Sequence, residues 1–172
     1  MPILSKQLKK FNYNNIFIET GTGGGIGTLT AVEAGFKSIY TIEFYDTRRE
    51  IAEERLKDYD FVKMYRGDSG AILKEILTDI NEPITFWLDA HYSGGIGPLA
   101  DTCPILKELD IIRNHYIKNH TILIDDIRCF RKGIKKWNSI TLEQIISKID
   151  PIYDIYYIDG YTENDILVAE AK

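Results

Sequence analysis

One unit recurs through this chain: a short apolar run that ends in an acid, followed by a stretch with helical patterning. The runs are NIFIE (15–19), SIYTIEF (38–44), FVKMYRG (61–67) with Asp68 behind it, PITFWLDA (83–90) and HTILIDD (120–126). Runs this short, rich in Ile, Tyr and Phe and separated by helical segments, predict parallel strands covered on both faces. Between them, TLTAVEAG (28–35) predicts a helix closed by Gly35, and RREIAEERLKDY one capped by Asp46 or Thr47. GAILKEILTDI is expected to be capped by Ser69, CPILKELDIIRNHY (103–116) to carry Pro104 in its first turn, and TLEQIISKI (141–149) to be capped by Thr141. The ending differs. YDIYYIDG (153–160) and DILVAEA (165–171) are joined only by YTEN, too short for a crossover helix, so these two strands must pair antiparallel. The expectation is one α/β domain over residues 1–172, with a mostly parallel sheet and a C-terminal antiparallel hairpin.

Composition narrows the function classes. A net charge of -5 speaks against nucleic acid as the main partner. The short basic cluster Arg131, Lys132, Lys135 and Lys136 reads either as a contact for an anionic substrate or as a solvated loop. No apolar run approaches the roughly 20 residues of a membrane span, and the N-terminal lysines Lys6, Lys9 and Lys10 precede no signal-like stretch. Cys103 and Cys129 have neither metal-binding spacing nor a secreted-type framework, so reduced thiols and a cytoplasmic setting are expected.

In open parallel sheets, ligands bind beyond the carboxyl ends of the strands. The residues expected there are Glu19 with its glycines, Glu43, Asp68 with Ser69, Asp89 with His91, and the pair Asp125 and Asp126. An unpaired buried carboxylate is expensive, so acids at every strand end point to a polar crevice. For any single acid, the plain alternative is a loop that begins with an acid.

The stretch ETGTGGGIG (19–27) is not a P-loop, because no lysine follows its last glycine. It also breaks the dinucleotide fingerprint, since Ile26 and Thr28 stand where the third glycine would fall. The spacing that does hold is E-x-G-x-G-x-G, at Glu19, Gly21, Gly23 and Gly25. On these residues, with Glu43, Asp68 and the terminal hairpin, the chain resembles the class I S-adenosylmethionine (SAM) methyltransferases along nearly its whole length. The resemblance implies a Rossmann-like sheet in the order 3-2-1-4-5-7-6. It also implies SAM as cofactor. Gly21, Gly23 and Gly25 would let the backbone close on the cofactor. Glu19 would accept from its ammonium, and Glu43, 22 residues past Gly21, would take the ribose diol. Asp68 and Ser69 would meet the adenine, and Asp89 completes the expected cofactor contacts.

With that strand order, Asp89, Asp125 and Asp126 converge beyond the cofactor, where like charges require a proton or a cation between them. An all-oxygen set suits Mg2+ or Ca2+. This part is similar to the metal-dependent O-methyltransferases that resemble macrocin O-methyltransferase, which implies Mg2+ on Asp89, Asp125 and Asp126. The motif WLDAHYSGG departs from that pattern through His91. His91 reads either as the base that takes the acceptor's proton, with Asp89 as the competing base, or as a structural histidine. His115 and His120 are not expected to be catalytic.

The segment 91–104 reads as a substrate loop, and Tyr45 and Tyr92 as candidates to stack on a ring. RCFRKGIKKW (128–137) reads as the opposite wall. The expected activity is methyl transfer to a hydroxyl of a sugar-like or other diol, with a small molecule or glycan as substrate. A homodimer partner, or a large acceptor, would complete an open site. The competing readings are a non-catalytic subunit on the same fold and an NAD-dependent oxidoreductase.

Overall fold

The chain folds, in a computed structural model describing residues 3–91, 103–133, 137, 139–149 and 151–172, around seven strands in one sheet. They are β1 (Ile16–Thr20), β2 (Ser38–Glu43), β3 (Val62–Arg66), β4 (Ile84–Leu88), β5 (Thr121–Ile124), β6 (Tyr153–Ile158) and β7 (Ile166–Ala171). Their order is β3-β2-β1-β4-β5-β7-β6. The first five run parallel, and β7 lies antiparallel to both β5 and β6. This is the order and the hairpin expected from the sequence.

The strands alternate strictly between two cores, as a pleat with period two requires. Ile16, Ile18, Phe86, Leu88, Ile122 and Ile124 face one core. It is completed by Leu73 and Leu77 of α4 (Ser69–Thr78), Ile105 and Leu109 of α5 (Ile105–Asn114), and Ile145 of α7 (Leu142–Lys148). Phe17, Trp87, Leu123 and Val168 face the other core, with Ala31 and Ala34 of α2 (Ile26–Ala34). With both faces dry, polar side chains can gather only at the strand ends.

Several elements depart from expectation. A helical turn, α1 (Ser5–Leu8), followed by a 3-10 turn over Lys9–Phe11, precedes β1, where no element was expected. Leu8 and Phe11, three residues apart, seat it in the second core. Helix α3 (Asp46–Leu56) is not capped by Asp46 or Thr47; it begins at Asp46, because Glu43 Oε1 accepts from the Tyr45 amide at 2.8 Å and fixes the entry one residue earlier. Ser69 is likewise the first helical residue of α4 rather than its cap. An additional helix, α6 (Ile127–Lys132), occupies part of the expected loop after β5. Thr141 does cap α7, in a reciprocal box with Gln144.

His115 and His120 form a clasp at the amino end of the sheet. The Ile84 amide donates to His120 Nδ1 at 3.1 Å, so His120 carries its hydrogen on Nε2, facing His115 Nδ1 at 3.0 Å. His115 then presents its own hydrogen to the Ile80 carbonyl, 3.1 Å away. The chain closes only when both rings are neutral. Burial, the neighbouring histidine and Lys118 push His120 down from 6.5 to about 4, and burial also lowers His115. Unfolded imidazoles protonate below 6.5 while folded His120 resists to about 4, so the clasp stabilises the protein above that window and loses its contribution as pH falls through it. Between neutral pH and pH 4 this should remove on the order of 2 kcal/mol. Urea midpoints measured across that range should fall more steeply in the native chain than in a His115→Gln/His120→Gln variant, and equal slopes would rule the clasp out.

Candidate functional site

All five parallel strands deliver polar groups into one cavity of about 630 Å3, within the range of small-molecule and cofactor sites. Its glycine-lined end is built first by β1. The ladder continues past Thr20, with the amides of Gly21 and Thr22 both donating to the Ile42 carbonyl. The loop can turn there only because Gly21 and Gly23 sit at positive φ, 85° and 55°.

Glu19 shares the β1 side of Phe17 and points under this loop. Its Oε2 accepts from the hydroxyls of Thr28, on α2, and of Thr41, on β2, the latter at 2.6 Å. A Cβ on Gly27 would lie 2.1 Å from its Oε1, so the carboxyl occupies space that only glycine leaves. Burial raises Glu19 to about 8 against the pull of the two threonines, which favours its protonated form. Glu43 is held differently: its Oε2 accepts from the Gly23 amide at 2.7 Å and its Oε1 from the Tyr45 amide. Asp68, at the cavity edge, pairs with Lys107 at 3.3 Å. Ser69 lines the same end, and its hydroxyl donates to Glu108 at 2.5 Å.

The other end collects the acids of β4 and β5. The amides of Asp89 and Asp125 extend the ladders, donating to the Thr20 and Leu88 carbonyls at 3.0 and 3.3 Å. Asp126 adopts a left-handed backbone, φ 57°, which starts α6 and brings its carboxylate back toward β4. His91 Nε2 then stands 3.3 Å from Asp89 Oδ1 and 3.5 Å from Asp126 Oδ2. These are ion-pair separations, and Asp126 and Asp89 hold the imidazole's pKa up against its burial; by hydrogen-bond geometry the buried Nε2 has no partner among the described residues. The ring is fixed by Trp137 and Phe130, with centroids 4.4 and 5.5 Å away. Burial and the neighbouring acids push Asp89 up to about 7, and burial with Asp126 pushes Asp125 up to about 6. Against its own burial, Asp126 stays below the usual carboxylate range because His91 and Arg128 face it.

The structure therefore brings together Glu19, Gly21, Gly23, Glu43, Asp68, Ser69, Asp89, His91, Asp125 and Asp126 on one cavity. Gly25 is not on that lining; at φ 82° it starts α2 against Ala52. The three acids expected to share a metal do not form one group. Asp89, His91 and Asp126 offer donor atoms within 4.8 Å of one another, while Asp125 groups with Asp126 and Asp165. Asp125 also turns its Oδ1 to the Asp126 amide, at 2.8 Å.

Two charged residues, Glu108 and Asp165, were missed, and the pairing of a third, Arg128, was not foreseen. Glu108, buried on α5, holds Ser69; its signal was an acid on the apolar stripe of Ile105, Leu109 and Ile112. Asp165 is fully buried before β7 and receives both the Arg128 amide, at 2.9 Å, and its guanidinium. Arg128 also reaches Asp126 Oδ1 at 2.6 Å and lies over the exposed Tyr161 ring, 4.9 Å from its centroid. Asp165 had no local signal, and Arg128 was expected only as part of the wall RCFRKGIKKW (128–137), with no acid assigned to it. Tyr45 lines the cavity, whereas Tyr92, most of the expected substrate loop (92–102), Lys135 and Lys136 lie outside the described residues. Arg131 turns to the Asn164 carbonyl and the Tyr157 ring, and it is not part of the lining.

The fold has solved counterparts. TomG, an O-methyltransferase of Streptomyces achromogenes solved with SAM, is 14% identical, with a TM-score of 0.71 over 98% of this chain and 79% of that one. An O-methyltransferase of Bacillus cereus in complex with S-adenosylhomocysteine (SAH) is 15% identical, with a TM-score of 0.70 over 98% and 79% of the two chains. A Streptococcus mutans protein solved with SAH is 15% identical, with a TM-score of 0.68 over 100% of this chain and 99% of its own. These likenesses show that the chain has the class I methyltransferase fold. No protein-family model matches the sequence, and no curated protein matches it. Among the described residues, no helix is long and apolar enough to cross a membrane.

The glycine loop yields a direct test. A Cβ on Gly21 would lie 2.4 Å from the Asp89 carbonyl oxygen, at a φ that disfavours it as well. Gly23 has nothing within 4 Å of such an atom. Gly21→Ala should cost at least about 3 kcal/mol in denaturant unfolding, and Gly23→Ala only about 1 kcal/mol. Equal costs would show that the loop does not pack on β4 as described.

Proposed function

We propose that this chain transfers a methyl group from SAM to a hydroxyl of a sugar-like or other small diol. Glu43 is the observation that carries this reading. Its two oxygens are each fixed by a loop amide, yet each keeps a lone pair free, so the carboxylate is preorganised for a vicinal diol such as a ribose. The glycines beside it let a cofactor lie against backbone. In this reading Asp68 and Ser69, which line the same cavity, would meet the adenine, and Glu19 shapes the loop from below. The nicotinamide alternative loses support because no diphosphate cradle accompanies Glu43: the third glycine of that fingerprint is replaced by Ile26 or Thr28.

In this reading the acceptor hydroxyl sits between the cofactor and the Asp89–His91 pair. Its proton passes to Asp89 or, when no cation occupies this end, to His91, as its oxygen attacks the methyl carbon. The carbon–oxygen bond forms while the carbon–sulfur bond breaks, and the cationic sulfonium becomes the neutral thioether of SAH. Alignment along one cavity and stabilisation of the developing oxyanion carry the catalysis. A divalent cation on the acids of this end would lower the pKa of the bound hydroxyl.

Calorimetric titration with SAH and, separately, NAD is the test. Micromolar SAH binding and no NAD binding are expected. Glu43→Ala removes an acceptor of two hydroxyls and should weaken SAH about 100-fold; Glu43→Gln, which keeps one carbonyl oxygen and the loop contact, should lose roughly tenfold. Absence of SAH heat in the native chain, or a preference for NAD, would overturn the methyl-transfer reading.

A further inference from the structure

Asp89, His91 and Asp126 form a site whose single nitrogen donor faces two carboxylates and has no hydrogen-bond partner among the described residues. His91 is 5% exposed, and its buried Nε2 aims between two carboxylate oxygens without bonding to either. The separations of 3.3 and 3.5 Å are long for hydrogen bonds. They are ordinary for two ligands of one ion: donors each about 2.1 Å from a metal stand roughly 3.0 Å apart at a right angle and roughly 3.4 Å apart at the tetrahedral angle. Trp137 and Phe130 lock the ring in this direction, so the nitrogen is held in place without a hydrogen bond at Nε2.

The second acid group competes poorly. Asp126 Oδ1 and the fully buried Asp165 already share the Arg128 guanidinium, a fixed cation that compensates their charge. That contact occupies one oxygen of Asp126 and leaves Oδ2 on the His91 side. Asp125 spends an oxygen on the Asp126 amide. Among the described residues, the group containing His91 is therefore the less engaged of the two, with Asp89 and Asp126 Oδ2 not tied to Arg128, and it lines the cavity, where substrate or water oxygens can complete the coordination.

We infer that Asp89, His91 and Asp126 bind a divalent first-row transition ion, of the Mn2+, Fe2+, Co2+ or Zn2+ kind, in preference to Mg2+. Imidazole is a good donor for these ions, whereas Mg2+ favours oxygen and retained water. The ion's role in the reaction rests on the methyl-transfer reading; its binding does not.

Metal-stripped protein should be titrated with Co2+ and followed by its visible d–d absorption, with Mg2+ as competitor. Stoichiometric Co2+ binding is expected, unaffected by a hundredfold excess of Mg2+. His91→Ala should weaken it at least tenfold. Asp126→Asn, which suits the left-handed backbone and should fold even where His91→Ala does not, should also weaken it at least tenfold. Absence of Co2+ binding, full displacement by equimolar Mg2+, or unchanged affinity in folded variants of both residues would overturn the inference. SAH titration of the metal-free native chain keeps the two readings apart, since loss of SAH binding with intact Co2+ binding would count against the methyl-transfer reading alone.

Discussion

The cavity depends on a nearly buried carboxyl in its lining. Glu19 is 1% exposed and ties three elements together: its own strand β1, Thr28 in the first turn of α2 and Thr41 on β2. The parallel register sets Glu19 beside Thr41, so the contact follows from strand pairing and not from loop geometry. Protonation makes the arrangement affordable, because a hydrogen-bonded neutral acid escapes the penalty of a buried charge. Replacing Gly27 by any larger residue would expel the carboxyl and with it the anchor of the loop. Glu43 depends on that anchor in turn, since its Oε2 is held by an amide of the same loop.

The far end solves a different problem, an excess of acids. Asp89, Asp125, Asp126 and Asp165 meet within a small volume, where burial alone would make their ionisation costly. Arg128 neutralises part of this charge from α6, and the Tyr161 ring covers its outer face. What stays uncompensated is the edge facing the cavity, where His91 stands between Asp89 and Asp126. Polarity is thus hidden where it supports structure and left open where a ligand can reach it.

The sheet was legible because its signals are local. Alternation of Phe17 with Ile16 and Ile18, and the four-residue link YTEN, set the two faces and the final hairpin. Glu19, Glu43, Asp89 and Asp125 were legible for the same reason, as acids at the ends of apolar runs. Partners distant in sequence were not. Ser69 reads as a helix cap, yet its hydroxyl is taken by Glu108, 39 residues away on α5. Arg128 lies in a basic stretch that suggests a solvated wall, and only its pairing with Asp165, 37 residues on, assigns it to the site. Helix α6 escaped notice because its six residues are too few to show a period.

The difference between an all-oxygen metal triad and the group observed comes down to backbone direction at two strand ends. Asp89 and His91 both lie just past the end of β4, and both line the cavity. In extended chain, adjacent residues point to opposite sides, which would separate Asp125 from Asp126 and send only one of them to that cavity. The left-handed turn at Asp126, φ 57°, changes this by redirecting the second acid while α6 begins. Aspartate tolerates that conformation better than most residues. With D-x-H following one strand and D-D the next, the second acid of the pair is therefore the one that faces His91.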